Sequence, residues 1–163
     1  MAIWQFVLAL VPKSWAIAND FNPALLMTED GRDTSTAWAA SRFLPNDFIR
    51  IFDDFLPRTE SWNENLTIWG NVEKTDIQLW RGASGIEDIQ IRFDLRDDIR
   101  MSLPRVCEII TSLGCSCFIP EICLIIDPSP TALTELILKS RAAAFVNDPH
   151  TFLQTLSEKK EGS

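Results

Sequence analysis

Tyrosine is absent from this chain, and histidine occurs once, at His150. One imidazole excludes chemistry that needs two or more, such as a multi-histidine metal centre. Glycine is scarce too: six residues in 163, none opening a GxGxxG or Walker pattern, so no glycine loop of those kinds cradles a phosphate. Ser84 sits in Gly82-Ala-Ser-Gly85, which is not a nucleophile elbow. Positive charge is in deficit. Fifteen Lys+Arg against 23 Asp+Glu leave a net charge of −8, which argues against nucleic acid or an anionic membrane as partner, because phosphate attraction supplies most of that affinity. Long apolar runs are missing as well. Ala2–Val11 is only about ten residues and cannot span a bilayer. Ala16-Ile-Ala18 resembles a leader cleavage site, but Lys13 follows the apolar run instead of preceding it, the reverse of a secretory leader. The expectation is a soluble, cytoplasmic protein.

The four cysteines, Cys107, Cys115, Cys117 and Cys123, are poorly spaced for zinc, since Cys115-Ser-Cys117 is tighter than a zinc knuckle. Cys107 and Cys123 lie in apolar runs, where cysteine acts as a small hydrophobe. Buried, reduced thiols are expected, with a disulfide or a metal site as alternatives, and no cofactor is implied.

Forty-six per cent hydrophobic and 23% charged residues describe one globular domain. The run Ile3–Val11 reads as a buried strand ended by Pro12, and residues 12–33 read as loop around the turn Glu29-Asp-Gly-Arg32. Thr34 or Ser35 caps a short helix through Trp38 to Arg42. Pro45-Asn46 opens a stronger one over 46–56, with Phe48, Ile49, Ile51, Phe52, Phe55 and Leu56 on one face and Pro57 as its stop. The period then changes from 3.6 to 2. Leu66–Val72, Asp76–Arg81 and Ile89–Arg96 form an antiparallel meander, the last with Gln90, Arg92, Asp94 and Arg96 on an outward face. Ser102–Leu113 is a helix closed by Gly114. Cys115–Ile119 and Ile122–Ile126 are short strands, and Ser129-Pro130 and Asp148-Pro149 each start a helix. This order predicts a single α+β domain over 1–157, a mostly antiparallel sheet of about five strands with helices packed on one face, and a frayed tail at 158–163. Val7, Leu8, Phe48, Phe52, Phe55, Ile89, Ile91, Phe93, Val106, Ile110, Leu133 and Leu136 are the expected core.

Chemistry-bearing patterns are sparse. Asp53-Asp54 on a helix diverge by about 100°. Asp94 with Glu87, Asp88 or Asp97 offers a carboxylate cluster for a metal-assisted hydrolase, against which stands a salt-bridge network with Arg92 and Arg96. The distribution of acid is more pointed. From Asp20 to Glu64, nine acidic residues face four basic ones, −5 of the total −8. Trp38 and Trp62 lie in the same stretch. Tryptophan among exposed acids suits a basic protein partner, as an anchor with steering charges. The expected contact surface is Asp53, Asp54, Glu60, Trp62 and Glu64, with Asp30 and Asp33 at its edge.

Ser61-Trp62, Ile68-Trp69-Gly70, the strand Ile91–Arg96, and Ser140 with Phe145-Val146-Asn147-Asp148-Pro149 resemble small bacterial immunity-type proteins of polymorphic and contact-dependent-inhibition toxin systems. The resemblance implies a non-enzymatic inhibitor of one cognate toxin domain, often a basic nuclease, and assigns no catalytic residue. Besides the hydrolase, the other alternative is a homo-oligomeric structural protein, a homodimer that buries the tryptophans.

Overall fold

The computed structural model describes residues 1–40, 44, 45 and 47–161. The first apolar run becomes strand β1 (Gln5–Pro12). Then follow α1 (Lys13–Ala18), the two-residue strands β2 (Met27–Thr28) and β3 (Gly31–Arg32), α2 (Ser35–Ala39), α3 (Phe48–Phe55), β4 (Arg58–Thr59), β5 (Leu66–Gly70), β6 (Asp76–Gly82) and β7 (Gly85–Asp94). The last part holds α4 (Leu103–Ser112), β8 (Cys115–Ile119), β9 (Leu124–Ile126), α5 (Pro130–Leu138), α6 (Arg141–Asn147) and α7 (Pro149–Glu161). Seven strands join in the order β4-β5-β6-β7-β1-β8-β9, every neighbouring pair antiparallel, while β2 and β3 form a separate hairpin. The chain is a single-domain α+β protein built on this sheet.

The period of two sorts the side chains. Phe6, Leu8 and Leu10 join Ile77, Leu79, Ile89, Ile91, Phe93, Cys115 and Cys117 in one buried cluster, closed by Phe52 of α3, Val106 and Ile110 of α4, and Leu133 and Ile137 of α5. The main helical layer therefore lies on this face. On the opposite face a smaller cluster gathers Ala9, Val11, Phe118 and Ile125 under Trp15, Ala16, Leu26 and Ala37.

β1 is shared by halves. Gln5–Ala9 pair with Asp94–Gln90 of β7, whereas Ala9–Pro12 pair with Phe118–Cys115 of β8. Each half leaves one edge open, and a short helix packs at each opening. α2 packs against β7 and β1, with the buried Trp38 donating its indole N–H to the Leu10 carbonyl at 3.1 Å. α6 lies against β1 at the other end.

Several expectations change. Residues 12–33 are not plain loop: Pro12 precedes α1, because Trp15 and Ala16 have apolar surface to cover, and 23–26 form a 3-10 turn before the hairpin. The two-residue strands β2 to β4 are too short to show a period; β4 joins six longer strands, so the main sheet has seven rather than about five. Ser140 caps α6 by accepting from the Ala143 N–H at 3.2 Å, a start that the sequence reading missed. Ser129 and Asp148 cap as expected, at 3.3 and 3.1 Å. Val7, Phe48, Phe55 and Leu136 are half-buried rather than core. α3 covers the outer strands, so Phe52 reaches the centre while its flanking phenylalanines lie at the rim, and in α5 Ile137 takes the place given to Leu136. Cys123 is exposed, turned out by a left-handed backbone (φ +48°). Helix α7 runs from Pro149 through Glu161. Arg42 and Asn46, placed in the first and second helices by the sequence, fall outside the described residues.

Trp38→Phe keeps the ring but strands the Leu10 carbonyl in a buried opening. The expected cost is about 1–3 kcal/mol, read as a lower urea midpoint at unchanged slope.

Candidate functional site

The expected contact surface begins at α3. Phe52 packs at a tilt against the fully buried Trp69 of β5, with ring centroids 5.0 Å apart. That seating places the next residue, Asp53, over the Trp69 indole, whose N–H donates to Oδ1 at 2.8 Å. Arg58 of β4 donates to both Asp53 oxygens at 3.2 Å and lies over the Trp69 ring at 5.6 Å. Asp53 therefore ties α3, β4 and β5 together. The Trp69 hydrogen bond, then Arg58, hold its carboxyl below the ordinary carboxylate range.

Asp54 points to solvent, and among the described residues neither it, Glu60 nor Glu64 takes part in an ion pair. Trp62 is 66% exposed at the tip of the β4–β5 loop. The loop fixes its own shape: Ser61 Oγ donates to the Asn63 carbonyl at 2.8 Å and accepts from the Asn63 N–H, Asn63 Oδ1 accepts from the Asn65 N–H, and the Asn63 carbonyl accepts from the Leu66 N–H. Trp38, the other candidate anchor, is core.

Asp30 and Asp33 do not join this surface. They belong to the β2–β3 hairpin and its exit, which sits over β7 on the other face, where Arg32 donates to Asp88 and Gln90 at 2.9 Å each. Asp33 accepts from Ser35 Oγ and N–H, and those bonds lower its pKa. A one-dimensional run of acid gave no sign that the chain crosses the sheet between residues 33 and 47.

The polar residues of β6 and β7 are the larger surprise. Arg92 and Asp94 were expected on an outward face, yet both are buried, together with Asp76 and Gln78 of β6. The 71–75 loop folds over them. Arg92 makes a two-pronged ion pair with Asp76, Nε to Oδ1 at 2.7 Å, and also donates to the Val72 carbonyl. Gln5 donates to Val72 and Lys74 carbonyls, Gln90 to Gln78, and Gln78 to Asp76. Gly70 starts this loop at φ +90°, and a Cβ there would meet the Thr75 carbonyl oxygen at 2.4 Å. Sequence signal existed, in that Asp76 and Arg92 fall opposite each other in the meander register.

Two of the carboxylates considered for metal chemistry, Asp94 and Asp88, are held by cations instead. Asp94 accepts from Arg96 at 2.8 and 2.9 Å; burial raises its pKa, but the Arg96 contacts outweigh it and the net shift is downward. Asp88 accepts from Arg32 and Thr34. Among the described residues no three His, Cys, Asp or Glu side chains are grouped to hold a metal ion. All four thiols are free; burial pushes Cys107 up to about 11, Cys115 up to about 12, and Cys117 upward too, so these three are protonated at neutral pH. No helix among the described residues is long and apolar enough to cross a membrane. Comparison of the chain with protein-family models, curated proteins and solved structures finds no match.

Arg58→Gln is expected to raise the Asp53 titration midpoint toward 3.8, followed by carboxyl carbon NMR. Because the folded value is depressed, the stabilisation from this contact is present above about pH 3.8 and lost as the pH falls through the lower folded value, so the variant should lose its stability deficit in acid.

Proposed function

We propose that this protein acts by binding, as an immunity-type inhibitor that neutralises a cognate toxin domain with a basic surface. The observation that carries this reading is Trp62, a large aromatic side chain 66% exposed on a loop stiffened by its own hydrogen bonds. Such a side chain offers contact area at little ordering cost. Asp54, Glu60 and Glu64 surround it in sequence and supply steering charge, and the chain's net charge of −8 acts in the same direction. Asp53 contributes charge but is committed to Trp69 and Arg58. Asp30 and Asp33 lie beyond the sheet and are left out of the contact.

The proposal expects a toxin domain encoded beside this gene; co-expression with it should protect the host cell, and unchanged toxicity contradicts the proposal. Trp62→Ala should weaken the complex by about 2 kcal/mol or more, roughly 30-fold in Kd, mainly through faster dissociation. Asp54→Lys with Glu60→Lys and Glu64→Lys should slow association and flatten its salt dependence. Wild-type rates in both variants would place the contact elsewhere.

A further inference from the structure

A second surface lies along the first half of β1, on the edge away from β7, where no strand pairs with it. A cleft of about 400 Å³ opens over Gln5 and Val7 of this strand and Ile3 just before it, with Arg32 of β3, Arg141 of α6 and Phe152 of α7 also lining it. Its size and mixture are those of a small-molecule site, a mostly apolar lining with a few fixed polar groups. Both cations in the lining are arginines. Arg32 is set in place, because one Nη bridges Asp88 and Gln90 at 2.9 Å each, while among the described residues its other guanidinium donors meet no acceptor. Arg141 enters no ion pair among the described residues. The one acid in the lining, Glu121, is engaged by the Arg141 backbone N–H at 3.0 Å. The cleft thus brings two guanidinium groups to an apolar floor, one paired with Asp88 and the other in no ion pair among the described residues.

We infer that this cleft binds a small anion with an apolar body, a medium-chain monocarboxylate, its carboxylate at Arg32 and Arg141 and its chain on Ile3, Val7 and Phe152. Charge complementarity selects the head, since guanidinium donors pair with carboxylate in planar, two-pronged geometry. The apolar floor selects the tail and disfavours a bare anion.

The inference does not depend on the inhibitor reading and is tested without a toxin. The full chain, labelled with nitrogen-15, is titrated with octanoate, 1-octanol and inorganic phosphate, and amide shifts are followed. Octanoate should saturate with shifts centred on Val7, Ala142 and Phe152, while octanol and phosphate should each bind at least 10-fold more weakly. Arg141→Gln should weaken octanoate 10-fold or more and leave octanol unchanged, with a dispersed spectrum confirming that the variant is folded. Phe152→Ala should weaken octanoate and octanol alike. Absence of octanoate shifts at 5-fold excess over millimolar protein overturns the inference, as do shifts centred elsewhere, or octanoate affinity unmoved by Arg141→Gln.

Discussion

The structure depends on the divided pairing of β1. A strand flanked along its whole length needs two partners of equal extent, but here β7 takes Gln5–Ala9 and β8 takes Ala9–Pro12, and only Ala9 is common to both. The two wings of the sheet, β4 to β7 on one side and β8 to β9 on the other, are thus joined through one strand. Such a joint is mechanically weak unless its open edges are filled, because unpaired backbone groups away from water are costly. α2 meets this at one end with the Trp38 bond to the Leu10 carbonyl. At the other end α6 stops short of filling the space and leaves the arginine-lined cleft.

Around that joint the two faces follow different rules. One face is apolar from Trp69 to Ile119 and takes the helices. The other is apolar only over β1, β8 and β9, and is polar over β6 and β7, where the Asp76–Arg92 pair is buried. A buried ion pair lends little net stability over an apolar equivalent, but losing one partner is severe because the other is left charged and unpaired. Every side-chain polar atom buried among the described residues has a hydrogen-bond partner, so this layer holds the 71–75 loop and the β2–β3 hairpin in one arrangement. The groups left to meet a partner are at the margins: Trp62 on its stiff loop, and the cleft beside β1.

Legibility in the sequence followed the physics of each element. Long periodic segments declared themselves: β1, the β5–β7 meander, α4 and the proline-started helices α5 and α7 lie where alternation, apolar spacing and caps put them. Short elements did not, since a six-residue helix such as α1 or a two-residue strand such as β4 has no room to show a period and exists through tertiary contact. Polar alternation in β7 read as exposure, although it encodes a buried, self-satisfied layer, because sequence spacing shows which residues share a face and not what lies over it. Of the expected site, Trp62, Asp54, Glu60 and Glu64 are exposed together in the α3–β5 region, Asp53 proves to be structural, and Asp30 with Asp33 fall on the far face. The cleft had no sequence signal, since it draws on β1, β3, α6 and α7 at once.

Native-state hydrogen exchange tests the role of β1 most directly. If the two wings depend on this one strand, amides of Phe6 to Val11, of β7 and of β8 should exchange through the same opening, with equal free energies matching global unfolding and equal denaturant slopes. A distinctly lower opening free energy for β8 and β9, with β6 and β7 still protected, would show that the wings are independent and would contradict the account.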